Sequence, residues 1–295
     1  MLARLLLTVT LLVISATSWA NGILTSIKPI QLITNELTQG IETPDVLLGT
    51  NASPHDYALR PSDVKRISQA SLVIWFGPDL EPFLTKILSE QSNVLTLSDI
   101  PNLKLRKFGP EEHDEHEEGH HHHGEHDPHF WLGVKQAATV AQAITNKLIA
   151  MDSAHSQQYR TNLKQFLLSL KQTDKDIQAQ LKPVQKIPYY VFHDGYAYFE
   201  QHFGLNNQGH FTVSPERKPG AKTLIKIRTL LTENKIQCVF AEPQFQPAVI
   251  KSVVRGTKAT IGILDPLATD IPVTSGGYFQ FLRHLSQSYY DCLSQ

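Results

Sequence analysis

From residue 21 onward the apolar positions fall into two alternating kinds of block. Residues 24–27, 46–48, 72–76 and 94–97 are short continuous apolar runs, which suit strands of a parallel sheet buried on both faces. Between them the spacing changes to that of helices. Ile30, Ile33 and Leu37 share one face between Pro29 and Gly40, as Pro at a helix start and Gly past its end would place them. Pro61-Ser62-Asp63 caps a second helix carrying Val64, Ile67 and Ala70, and residues 80–91 predict a third. The βαβα order argues for a parallel sheet with helices on both sides.

Residues 135–151 predict an Ala-rich helix. Asp152 or Ser153 then caps a longer pattern that runs to residue 181 and is ended by Pro183. Its apolar positions, Tyr159, Leu163, Phe166, Leu170, Ile177 and Leu181, form one stripe. At 1.5 Å per residue that helix is about 40 Å long, enough to pass the height of a small domain and connect two halves. The second half repeats the plan, with strands at 189–192, 236–241 and 260–264 and helices at 196–203, 222–234, 247–256 and from 277. The expected fold is α/β. Two lobes (21–152 and 183–295), each a mainly parallel sheet flanked by helices, are joined by one long rigid helix (153–182).

Residues 1–20 read as a secretory signal peptide: Arg4, a short apolar run from Leu5 to Ile14, and the small residues Ser18 and Ala20 before the expected cleavage. The apolar run is shorter than a membrane span, which argues against an uncleaved anchor. The expected mature protein is exported, soluble, monomeric and without a lipid anchor. A net charge of −1 with His neutral gives no reason to expect nucleic acid as a partner. The two cysteines, Cys238 and Cys292, favour a disulfide in an oxidising compartment; the alternative is two separate buried thiols.

Between Glu111 and Asp127, seven residues are His (His113, His116, His120, His121, His122, His123 and His126) and eight are Asp or Glu. With no apolar residue in it, the segment cannot bury a core and reads as a flexible loop with metal affinity. His129 differs. It follows Pro128 and leads into Phe130-Trp131-Leu132, where the chain becomes foldable again.

In open α/β sheets, ligands bind beyond the carboxyl ends of the strands. His55 lies shortly after strand 46–48, His193 follows strand 189–192, Asp265 follows strand 260–264, and His129 sits on the return from the His-rich loop. Two candidates come from each half, so the site is expected between them. Three imidazoles with one carboxylate or water suit zinc. Taken singly, each has a plainer reading: a His after a strand is more often a satisfied polar residue, Asp265 before Pro266 is a turn signal, and Asp56 and Asp194 can simply cap or orient. His155, His202, His210 and His284 have no such placement and are read as structural or surface residues.

Four stretches then carry a resemblance: Ser53-Pro54-His55-Asp56-Tyr57 with Arg60-Pro61-Ser62-Asp63 behind it, Asp127-Pro128-His129-Phe130-Trp131, Val191-Phe192-His193-Asp194-Gly195-Tyr196, and Leu264-Asp265-Pro266-Leu267. In that order they resemble the ligand motifs of the metal-receptor (cluster A-I) substrate-binding proteins of ABC transporters. The likeness covers essentially the whole mature chain. It implies two α/β lobes on one long helix, a metal in the cleft, a periplasmic location and delivery to an inner-membrane permease. Manganese and iron members usually carry Glu where this chain has His193, which favours Zn²⁺, as transported ligand, over manganese or nickel. Zinc members often share the cysteine pair and the acidic His-rich loop. Leu132-Gly133-Val134 departs from the Asp-Pro that many relatives carry there. The resemblance leaves Asp265 or a water as fourth ligand. Glu242 matches a recurring acidic position, either supporting the site or pairing with Arg217. The loop has several open roles: capture of further zinc, sensing of excess zinc, contact with a periplasmic chaperone, or none beyond a solvated loop. A zinc hydrolase is the competing class, since three His with an open position also builds catalytic zinc, but no His-Glu-x-x-His helix is present. A surface adhesin is a third reading.

Overall fold

The computed structural model describes residues 21–108, 124, 126–212, 219–233, 235–245 and 248–295. The signal-peptide expectation for residues 1–20 therefore lies outside the described residues, as do His113, His116, His120, His121, His122 and His123 of the His-rich loop and Arg217.

The first half contains β1 (Asn21–Thr25), α1 (Lys28–Leu37), β2 (Asp45–Val46), α2 (Pro61–Gln69), β3 (Ala70–Trp75), α3 (Thr85–Leu88) and β4 (Val94–Thr96). The strands form one parallel sheet in the order β2-β1-β3-β4. β3 is almost wholly buried, as its unbroken apolar run requires of a strand covered on both faces. One expectation fails here. Residues 80–91 do not form a continuous helix but a short 3-10 turn, Pro82–Leu84, followed by the four residues of α3. Pro82 fixes its own φ and supplies no N–H. The carboxylate of Glu81 turns back instead to accept from Phe76 N–H at 2.9 Å.

α4 (Val134–Met151) and α5 (Ser156–Leu181) follow. α5 has 26 residues, about 39 Å at 1.5 Å per residue, and buries all six apolar positions of its predicted stripe together with Asn162 and Thr173. The second sheet holds β5 (Tyr189–His193), β6 (Asn207–Thr212), β7 (Cys238–Ala241) and β8 (Thr260–Ile263), parallel and in the order β6-β5-β7-β8. α6 (Ala197–Phe203), α7 (Ala221–Thr232), α8 (Ala248–Val254) and α9 (Gly277–Leu293) accompany it.

β6 was not expected from the pattern. Its sequence, Asn-Gln-Gly-His-Phe-Thr, is polar, and it lies at the sheet edge, where one-sided burial relaxes the demand for apolar residues. Gly209 sits at φ +141, and a Cβ there would come within 2.8 Å of the Tyr190 ring, so the close approach of β6 to β5 depends on that glycine.

A single apolar core runs through both sheets and joins Ile23 and Leu72 of the first to Val191 and Phe240 of the second by way of α1, α4, α5 and α9. The alternate residues of β5, Tyr190 and Phe192, face a second cluster with Ile227 and Leu231 of α7. Cross-ties bind the loop after β8 to the first half. Trp131 Nε1 donates to Pro266 O at 2.8 Å, and Lys28 Nζ donates to Thr269 O at 2.8 Å. Cys238 and Cys292 form a disulfide between β7 and α9, with Cα atoms 6.1 Å apart. Among the described residues no helix is long and apolar enough to cross a membrane.

Candidate metal centre

His55 is carried by the loop after β2. Its N–H donates to Ser53 Oγ at 3.2 Å, and the loop is pinned to α2 by Tyr57 Oη, which donates to Asp63 Oδ2 at 2.9 Å. The same Asp63 oxygen accepts the N–H of Arg60 and so caps α2. His129 is held more tightly. Asp127, fully buried, accepts both the backbone N–H of His129 at 3.1 Å and its ring Nδ1 at 2.8 Å. Trp131 packs edge-on against the imidazole, ring centroids 5.2 Å apart. His193 is the last residue of β5, which runs one residue further than its apolar pattern. Its Nδ1 lies 2.5 Å from Glu242 Oε1, just past β7.

These contacts determine what the rings present inward. With Nδ1–H given to a carboxylate, each imidazole of the pair keeps an Nε2 lone pair for a metal. His129 Nε2 and His193 Nε2 face each other at 3.2 Å. Two nitrogens of a tetrahedral zinc site, each about 2.0–2.1 Å from the ion, stand about 3.3 Å apart. The His55 ring lies 5.4 Å from that of His129 and 6.0 Å from that of His193, centroid to centroid. One donor atom from each of the three lies within 4.8 Å of the others, the one such group of His, Cys, Asp and Glu found among the described residues. Gly195 faces the same space. A Cβ there would collide with His193 Nε2 and sit 3.1 Å from His129 Nε2.

Asp265, which with a water was one of the two candidates for fourth donor, is not in this group of three among the described residues. Both of its carboxylate oxygens accept hydrogen bonds, from its own loop and from Gln244 after β7. Oδ1 accepts from Leu267 N at 3.0 Å and Gln244 Nε2 at 2.9 Å, and Oδ2 accepts from Thr269 N at 2.5 Å. It caps the turn in which Ala268 adopts φ +55, which is the plainer role that the Asp-Pro pair suggested. His126, on the near side of the loop stem, pairs with Lys107 in a single antiparallel bridge and has Nδ1 3.6 Å from Asp79 Oδ2, outside the three-His group.

Charge around the centre is balanced by Asp127, Asp194 and Glu242, and by Arg106, which the pattern did not single out. Burial pushes the Asp127 carboxyl up. The contacts with His129 and the charge of Arg106 together outweigh it and hold the group below the usual carboxylate range. Burial also opposes the charge on Arg106, but Asp194 and Asp127 more than restore it. Burial, and then the charge of Glu242, raises the Tyr196 phenol well above its ordinary range beside His193. Glu242 supports His193; the other role open for it involves Arg217, which lies outside the described residues. The spacing Asp-x-His could have signalled Asp127. Nothing in the linear sequence pairs Glu242 with a residue 49 positions away, or marks Arg106.

Comparison with known proteins agrees with this geometry. The family model described as "Zinc-uptake complex component A periplasmic" matches residues 23–292. A Yersinia pestis protein named "High-affinity zinc uptake system protein ZnuA" is 43% identical over 289 residues, covering 92% of this chain and 91% of its own. A Haemophilus ducreyi protein of the same name is 38% identical, covering 97% and 98%. A solved structure described as "Crystal structure of ZnuA" superposes with a TM-score of 0.78 at 26% identity, over 92% of this chain and 98% of that one. On both sequence and fold, the chain belongs to the family of periplasmic zinc-uptake complex component A.

Proposed function

We propose that the chain is a high-affinity periplasmic zinc receptor that captures Zn²⁺ between two lobes, residues 21–152 and 183–295 joined by the helix 153–182, and delivers it to an inner-membrane ABC permease. The observation that carries this reading is the convergence of His55, His129 and His193, with donor atoms within 4.8 Å of one another. Two of these rings have Nδ1 already committed to buried carboxylates. That arrangement favours a borderline-soft cation with tetrahedral N donors over the harder oxygen-seeking cations. A water takes the fourth position, since Asp265 is committed to its own loop. The zinc is cargo, and the chain acts as a receptor rather than as a hydrolase. Residues 1–20 direct export and are removed, the mature chain works as a monomer, and the His-rich loop offers weaker zinc sites and a contact for a periplasmic zinc chaperone.

Binding uses neutral imidazoles, so protons compete and affinity falls in acid. The test is titration of zinc into chelator-stripped mature protein. One tight site is expected, lost in the His55→Ala, His129→Ala, His193→Ala triple variant. Tight binding unchanged in that variant would remove the reading.

A further inference from the structure

Arg106 does not face the three imidazoles, yet it touches the segments that carry two of them. Its Nε donates to Asp127 Oδ2 at 3.0 Å and its Nη2 donates to Asp194 Oδ2 at 2.5 Å. The other oxygen of Asp127 holds His129 Nδ1, and Asp194 is peptide-bonded to His193. The connection therefore runs His129, Asp127, Arg106, Asp194, His193, and a metal on the two Nε2 atoms would close the ring. The Arg106 main chain is fixed as well. Its N–H donates to Tyr198 Oη at 2.8 Å, that hydroxyl donates to Asp127 O at 2.8 Å, and Asp127 N–H donates to Arg106 O at 2.7 Å. Tyr198 belongs to α6, so Arg106 is held from both halves of the chain.

We propose that Arg106 is a positioning residue for zinc: it ties the His129 segment to the His193 segment across the two lobes and sets the spacing of those ligands before the metal arrives. The proposal rests on the receptor reading of the site. The physical need for such a tie lies in the Nε2 pair. The two Nε2 atoms face each other at 3.2 Å, close to the separation of two donors on one zinc ion, and they are carried by segments 64 positions apart that must be held in register to keep it. A guanidinium suits the task. Its planar fork of donors meets two carboxylates at once, which a single ammonium does not reproduce. The network is mostly shielded, with side-chain exposures of 21% for Arg106, 0% for Asp127 and 18% for Asp194, so water screens it weakly. Ligands held near their bound geometry lose less freedom on binding and separate less readily once bound.

The experiment measures zinc dissociation from the loaded mature protein into excess chelator by stopped flow, together with equilibrium affinity and thermal midpoint, for the parent, R106M, R106K and D194A. D194A cuts the side-chain link to the His193 segment and leaves the contact of Arg106 with Asp127, and of Asp127 with His129. Loss of a partner that orients a ligand weakens metal binding about 10- to 100-fold. R106M and D194A are expected to show that loss mainly as faster dissociation, with R106K in between. A merely structural Arg106 would lower the thermal midpoint and leave dissociation alone. Dissociation within twofold of the parent in both R106M and D194A overturns the proposal while the parent still binds tightly. If R106M does not fold, D194A decides alone. A parent without a tight site overturns the receptor reading, and the proposal with it.

Discussion

Glu242 lies just past β7, 2% exposed, with Oε1 2.5 Å from His193 Nδ1. Its carboxylate decides which nitrogen of His193 carries the proton, and so which one is left for zinc. Glu242→Gln keeps the volume and offers an amide oxygen to Nδ1–H but removes the negative charge behind the ligand. Losing such a partner costs about 10- to 100-fold in metal affinity, or about 1.4–2.7 kcal/mol. Glu242→Leu removes the acceptor altogether. A buried N–H without a partner costs about 1–3 kcal/mol, and the ring has an escape. It can move its proton to Nε2 and donate it to His129 Nε2, only 3.2 Å away. That hydrogen bond occupies the space of the metal, so the proton must return to Nδ1, now without an acceptor, before zinc can bind. Glu242→Leu is therefore expected to fall at or beyond the 100-fold end of the range. Competition against a chromophoric chelator at fixed pH and ionic strength reads the affinity, and circular dichroism checks the fold. Both variants within twofold of the parent would refute the claim that the carboxylate sets the tautomer of His193.

Gly195→Ala is expected to abolish tight zinc binding with little loss of stability, because its Cβ would sit against the Nε2 atoms of His193 and His129; a normal zinc titration would contradict the crowding. Burial pushes the Glu81 carboxyl up to about 7, so the folded state holds that proton where the unfolded chain has released it. Stability from this group is full below the ordinary carboxylate range and is lost as pH rises through about 7. Relative to the parent, Glu81→Gln is expected to gain stability between pH 5 and 8, on the order of 3 kcal/mol at 1.4 kcal/mol per pKa unit, and parallel urea-unfolding profiles across that range would count against it. The Cys238–Cys292 bridge spans a sequence separation of 54 residues, so its removal by Cys238→Ser with Cys292→Ser is expected to cost about 2–4 kcal/mol in denaturant unfolding with the zinc stoichiometry unchanged. Asp265→Ala frees the N–H groups of Leu267 and Thr269 and is expected to lower stability by about 1–2 kcal/mol; loss of the tight zinc site with stability intact would return Asp265 to the ligand set.

Periodicity along the chain was enough to mark two parallel sheets and the long helix, because burial on one face or on both leaves a repeat that a single sequence carries. The stripe from Tyr159 to Leu181 is such a repeat, and every member is buried. Where apolar runs end, strand ends follow, and residues just beyond strand ends are the ones a cleft can use. That singled out His55 and His193, while His129 was marked by its place on the return from the His-rich loop, and the fold brings the three together. The same rule left Asp265 or a water as the fourth donor, since a position after a strand does not say which way a side chain turns or whether nearby N–H groups claim it first. The polar edge strand β6 and the broken helix after Leu80 escaped for a related reason: a glycine against a tyrosine ring and a carboxylate turned back on its own turn leave no repeat. Only the folded chain pairs Glu242 with His193, lays Gly195 against the Nε2 atoms, and spans Asp127 and Asp194 with Arg106. Those contacts join positions far apart in the sequence, and each depends on the path of the whole backbone rather than on any local pattern.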